Sequence, residues 1–101
     1  MIVPYSHVLV LSGLLFLLGL VCATTRRNLI MIVVGLEIML NAASIAFIGA
    51  ALQWGTLDGQ AVAIFIIAVA AAEVSIGLAL IVAVYRRTGS VDPAVLESRS
   101  A

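Results

Sequence analysis

Lysine is absent from this chain, and cysteine and histidine occur once each, at Cys22 and His7. A single cysteine excludes an intrachain disulfide and a cysteine-built metal site. A single histidine leaves Ser/His and Cys/His catalysis almost without raw material. Cys22 therefore reads as an inert thiol and His7 as an interfacial residue. No Gly-rich phosphate loop is present. Charge is scarce as well. Only 10% of residues are charged and the formal net charge is zero, so no basic patch points to nucleic acid.

What fills the chain instead is apolar. The hydrophobic share is 64%, against roughly 45–50% in soluble domains. Three apolar stretches stand out, at 2–23, 29–52 and 61–84. At ~1.5 Å rise per residue each covers roughly 33–36 Å, enough to cross a ~30 Å hydrocarbon core. Backbone polar groups cannot stay unpaired in lipid, so the stretches are expected to be helices. The expected fold is an all-α membrane protein, one unit over 1–101 with three transmembrane helices. Short links make sequential helices antiparallel neighbours. The first link is Thr24–Asn28, and the second, Gln53–Gln60, is rich in turn formers. A polar tail over 88–101 is expected at the membrane surface or in solvent. Segment one has no Lys or Arg ahead of it and is too long for a signal h-region, so it reads as retained.

Charge placement predicts the orientation. Arg26 and Arg27 follow the first stretch, and Arg86 and Arg87 follow the third. The intervening link carries Asp58 and no basic residue. The positive-inside rule then puts the N-terminus outside and the C-terminus in the cytoplasm. Tyr5, Trp54 and Tyr85 fall near predicted helix ends, as interfacial anchors do.

Against this background two glutamates, Glu37 and Glu73, sit inside stretches that hold no other charge. A charge at bilayer depth costs about 2.5–3.5 kcal/mol on insertion scales, so such residues mark function by default. Counted from the arginine pairs, Glu37 lies about 15 Å deep and Glu73 about 20 Å deep. Glu37, Asn41 and Ser44 follow the i, i+4, i+7 pattern and share a helix face. That stripe can hold water and orient a proton relay. Helix–helix hydrogen bonding explains Asn41 and Ser44 equally well. It explains Glu37 poorly, since Asn or Gln would bridge helices at lower cost.

The third stretch carries a ribbon of small residues, Ala68, Ala72, Ser75, Ala79 and Ala83, spaced to admit a close helix neighbour. Glu73 is expected at the edge of that ribbon, with Gly77 leaving space beside it. Ala42, Ala46 and Gly49 form a second small strip. Two such strips and too few residues to enclose two carboxylates predict a larger assembly. Desolvation favours the neutral form of a carboxylic acid, and a nearby cation or water favours the anion. A group switched by its surroundings in this way suits a coupled proton pump.

The string Arg26-Arg27-Asn28-Leu29, then Gly35-Leu36-Glu37-Ile38-Met39-Leu40-Asn41-Ala42, resembles a known family. So do Asp58-Gly59-Gln60 and the run Ala70 to Leu80 around Glu73. The family is that of the smallest membrane chain, chain K, of bacterial proton-translocating NADH–quinone oxidoreductase, respiratory complex I. The resemblance covers nearly the whole chain through Arg87 and implies the following. The chain sits in the bacterial cytoplasmic (inner) membrane, between quinone-proximal and antiporter-like partner chains. Glu37 and Glu73 belong to a line of buried charges along the membrane arm. Arg26 and Arg27 match basic residues of a cytoplasmic loop that matters for coupling. Flavin mononucleotide (FMN), iron–sulfur clusters and quinone bind other chains, and this one holds no cofactor or metal.

Three rival readings are available. Small subunits of multisubunit cation/proton antiporters share the three-helix plan, but usually have a Pro-containing link before helix three and lack this pair of glutamates. Small multidrug exporters have four helices and an essential glutamate in the first, whereas the first stretch here is uncharged. A purely structural assembly subunit would use its glutamates only to bond partner helices.

Overall fold

The computed structural model describes residues 3–95. The expected helix start at Ile2 and the tail from 96 to 101 lie outside the described residues. Three helices follow in order: α1 Tyr5–Thr25, α2 Leu29–Trp54 and α3 Asp58–Thr88. Each is long and apolar enough to cross a membrane.

The helices differ in extent from the apolar stretches, because caps rather than hydropathy end them. α1 begins after Pro4 and runs through Thr24 and Thr25. These hydroxyls donate to the carbonyls of Leu20 and Val21, 2.7 and 2.5 Å away, before Arg26 turns extended. Asn28 caps α2 by accepting from the Ile30 N–H at 2.9 Å, satisfying one of the orphan donors of a helix start. Gly55, at φ 67°, closes α2, and Gly89, at φ 71°, closes α3. Only glycine adopts that left-handed conformation without strain. α3 is therefore 31 residues rather than the expected apolar core of 61–84. Its length, about 46 Å at ~1.5 Å per residue, exceeds the hydrocarbon core, so it tilts or projects beyond it. Asp58 in its first turn and Arg86 and Arg87 in its last complement the helix dipole.

α2 is the central helix, packed on α1 along one side and α3 along the other. The α1 seam repeats every seven residues. Tyr5 meets Gly49, Ser12 meets Ala42 and Gly19 meets Gly35. A seven-residue repeat is the signature of nearly parallel helix axes packed knobs-into-holes. The approach is close enough that a Cβ added to Gly35 would stand 2.6 Å from the Gly19 carbonyl oxygen. Small residues permit this distance, and in lipid such packing replaces the hydrophobic effect as the force between helices. The strip Ala42, Ala46, Gly49 thus serves α1 of the same chain, not a partner as its sequence pattern suggested. Ala42 and Gly49 are buried there, and the Ala46 carbonyl accepts from the Tyr5 hydroxyl at 3.4 Å.

The second seam sets Gly59 against Ala51 and Phe47, and Gly77 against Val33. Ala63, Ala70 and Ile81 are its buried positions on α3. Beyond α3 the described part of the tail, expected at the membrane surface or in solvent, packs back on the bundle. Thr88 is helical, and Ser90 to Pro93 are half-buried. The Leu29 N–H, an orphan donor at the start of α2, donates to the Val91 carbonyl at 2.8 Å. Asp92 then caps a turn through the Ala94 N–H at 2.9 Å, with Pro93 at its first position.

Candidate functional site

The α2–α3 seam fixes the height of the two glutamates. Gly59 lies opposite Ala51 and Gly77 opposite Val33, so in this antiparallel register residue numbers on facing positions share one sum. Glu37 and Glu73 satisfy it too. They stand at the same level, where counting from the arginine pairs had left them about 5 Å apart in depth.

Helix phase decides which way they point. On α2, Val33, Ser44 and Ala51 define the line facing α3, and Glu37, seven residues before Ser44, stands about 35° to one side of it. On α3, Ala63, Ala70 and Gly77 define the line facing α2, and Glu73 stands about 60° away from it. Because the helices run antiparallel, these offsets carry the carboxylates to opposite flanks of the seam. Glu37 is half-buried and Glu73 exposed. Neither makes a hydrogen bond or ion pair with another described residue. Near the glutamates the seam sets Ala70 and Gly77 of α3 against α2, with Gly77 in ordinary contact with Val33.

Glu73 stands beside the ribbon of small residues as its spacing predicts, but the ribbon itself does not face α2. Ala68, Ala72, Ser75, Ala79 and Ala83 are all exposed and occupy the side of α3 turned away from α2. Glu73 lies nearer the α2 side than that ribbon, and Gly77 faces Val33, whose Cγ2 would sit 3.7 Å from an added Cβ. The small residues beside Glu73 therefore serve two different faces.

The stripe of Glu37, Asn41 and Ser44 divides as well. Ser44 is buried and its hydroxyl donates to the Leu40 carbonyl at 3.2 Å. Asn41 is exposed on the flank that carries Glu37. One turn separates Asn41 from Glu37, so it is the polar side chain best placed to share water or a partner with that carboxylate. Ser44 is occupied within its own helix. Arg26 and Arg27 are exposed in the link between α1 and α2, remote from both glutamates. Arg27 shares a small surface cleft with Asp92, Pro93 and Ala94.

Two contacts had escaped the sequence reading. Ser12 is buried and its hydroxyl donates to the Ala42 carbonyl at 2.5 Å. Its signal was the seven-residue spacing Tyr5, Ser12, Gly19, visible only once a partner helix is known. Val91 holds the start of α2 through its carbonyl, and a backbone contact of that kind leaves no side-chain signature.

Comparison with known proteins gives this arrangement a family. The model of the NADH-ubiquinone/plastoquinone oxidoreductase chain 4L family matches residues 7–98. The chain is 70% identical over 94 residues to NADH-quinone oxidoreductase subunit K 2 of Syntrophobacter fumaroxidans, covering 93% of this chain and 82% of the relative. It is 55% identical over 93 residues to subunit K 2 of Geobacter sulfurreducens, covering 91% of each. It is 49% identical over 90 residues to subunit K of Pseudomonas fluorescens, covering 89% of this chain and 88% of the relative. Three membrane-length helices, two level glutamates and these matches together mean that the chain belongs to the chain 4L, or subunit K, family of NADH-quinone oxidoreductase, as a multi-pass membrane subunit.

Proposed function

We propose that this subunit carries protons between its neighbours in the membrane arm, with Glu37 and Glu73 as successive stations. The observation that carries the reading is their placement: two carboxylates at one level, on opposite flanks of one seam, without a partner among the described residues. A pair built only to bridge α2 and α3 would face across the seam. Opposite flanks suit a relay that receives a proton on one side and delivers it on the other. Each flank then needs groups from a different partner, which supports quinone-proximal chains on one side and antiporter-like chains on the other. Asn41 supports Glu37 from its own flank. Ser44 contributes by shaping the seam, since its hydroxyl is already committed to Leu40.

The orientation follows the positive-inside rule, with Arg26, Arg27, Arg86 and Arg87 in the cytoplasm and the N-terminus outside, in the bacterial inner membrane. Arg26 and Arg27 form the cytoplasmic coupling loop. FMN, iron–sulfur clusters and quinone belong to other subunits. One cysteine and one histidine give this chain no ligand set for an iron–sulfur cluster.

The test is Glu37→Gln and Glu73→Gln in the native complex, with assembly, NADH:quinone reductase activity and proton pumping measured in membranes. Gln keeps the shape and cannot carry the proton. Assembled complexes with turnover and pumping lowered roughly tenfold or more are expected, with Glu37→Gln the more severe. Normal pumping in both variants would overturn the relay. Loss of assembly alone would favour a structural subunit. Purification with native partners that include no flavin or iron–sulfur subunit would favour the cation/proton antiporter family.

A further inference from the structure

An open groove of about 560 Å³ runs between α1 and α2 at the end that carries Arg26. Leu18, Val21 and Cys22 wall it on α1, and Met31, Val34 and Ile38 wall it on α2. Leu18 and Val21 are more than half exposed to the outside of the bundle. The groove descends from Thr25 to Leu18, about 10 Å along the helix. That depth lies within one leaflet of a ~30 Å core.

The walls are mostly apolar, and their few polar groups are committed. The Thr25 hydroxyl is spent on the Val21 carbonyl at 2.5 Å, and the Cys22 thiol on the Met31 carbonyl at 3.4 Å. At the mouth stands Arg26, in extended backbone just past the last residue of α1. Its guanidinium makes no ion pair with a described residue. It therefore retains a forked set of donors that matches a phosphate, directly above an apolar channel.

We propose that this groove is a binding site for an anionic phospholipid, with an acyl chain between α1 and α2 and the headgroup phosphate on Arg26. The occupant follows from charge and depth together. A protein helix would fill the apolar walls but would bring no anion to the mouth by necessity. A soluble anion would reach Arg26 but leave the walls bare. An amphiphile with a negative head satisfies both, and basic sites beside membrane helices select such lipids. The site is independent of Glu37 and Glu73, and it gives Arg26 a ligand of its own.

The experiment uses the intact complex in nanodiscs holding either phosphatidylglycerol or phosphatidylcholine, each with a photoactivatable group in the acyl chain. Crosslinks are mapped by mass spectrometry. Phosphatidylglycerol should label the segment from Leu18 to Ile38 roughly fivefold more than phosphatidylcholine, the discrimination expected of one arginine near the surface. Arg26→Gln should bring that ratio to about one, and Arg26→Lys should keep most of it. Val21→Trp, at an exposed wall position, should reduce labelling by both lipids. If Arg26→Gln fails to assemble, 1 M salt on the unaltered complex replaces it, since screening at a Debye length of about 3 Å should collapse the same ratio. Equal labelling by the two lipids would overturn the proposal, as would a preference that survives both Arg26→Gln and high salt. Protection of the groove from both lipids would show a protein neighbour there and overturn it equally.

Discussion

Replacing Gly35 by alanine tests whether the close approach of α1 and α2 holds this chain together. The added Cβ would stand 2.6 Å from the Gly19 carbonyl oxygen, 2.7 Å from the Ala23 nitrogen and 2.9 Å from the Ala23 Cβ. Two of these three atoms are backbone, so no side chain can swing aside. Reaching a tolerable 3.4 Å requires the helices to part by about 0.8 Å, and a gap of ~0.5–1 Å forfeits a quarter to a half of each dispersion contact along the seam. The Ser12 to Ala42 hydrogen bond, now 2.5 Å, lies one repeat away and would lengthen too. Overpacking of this kind costs about 1–3 kcal/mol. Alanine's better helix propensity returns up to about 1 kcal/mol. The expected net loss is about 1–2 kcal/mol, a 5- to 30-fold shift in the folding equilibrium.

Gly13→Ala, on the partner helix α1, supplies the control. A Cβ there meets nothing within 4 Å, so this variant should be neutral or slightly stabilising. The assay is SDS titration of the full chain in mixed micelles, read by the distance between labels on the ends of α1 and α2. Gly19→Ala should match Gly35→Ala, since its Cβ would meet the Gly35 carbonyl oxygen at 2.6 Å. The double variant should lose less than the two singles combined, because one opening relieves both clashes. Equal midpoints for Gly35→Ala and Gly13→Ala would refute the reasoning, since the same chemical change would then act without regard to the crossing.

Other substitutions isolate single contacts. Ser12→Ala should cost about 0.6 kcal/mol in the same titration, the average of interhelical hydrogen bonds in membranes, and a loss above ~1.7 kcal/mol would point to a different role. Gly55→Ala and Gly89→Ala should each destabilise by about 1–2 kcal/mol, the cost of a left-handed backbone with a Cβ, although both face open space. Unchanged stability would mean that the turns relax. Asn28→Ala should cost about 1 kcal/mol through loss of the α2 cap, and fraying of the first turn would show as faster amide exchange at Ile30. Truncation after Gly89 removes the Val91 carbonyl and should speed exchange at Leu29, with little effect at Ile30, which Asn28 protects.

Much of this protein is legible without coordinates because the bilayer imposes a simple rule. Apolar runs of this length must be helical, and short links must make them antiparallel. Hydropathy located the helices but not their ends, because Asp58 and Thr88 are polar yet stand in helical hydrogen bonding. The caps at Gly55 and Gly89 decide those ends, and a glycine announces a left-handed turn only once the helix before it is known. The carboxylates were equally plain, since Glu37 and Glu73 break apolar runs that nothing else interrupts. Arg26 and Arg27 were plain as a topology signal. Only the groove below Arg26 gives that charge a specific surrounding.

The sequence by itself determined that three helices cross a membrane, that two of them carry a glutamate within an otherwise uncharged apolar run, and which family the pattern resembles. Tertiary structure alone decided which small residues face which neighbour. It assigned Ala42 and Gly49 to α1, turned the ribbon from Ala68 to Ala83 outward, and set Glu37 and Glu73 level on opposite flanks. The physical reason is rotational. Spacing along a helix fixes which residues share a face, but the direction of that face depends on where a second helix packs, and in lipid that choice rests on the fit of backbones at positions such as Gly19 and Gly35.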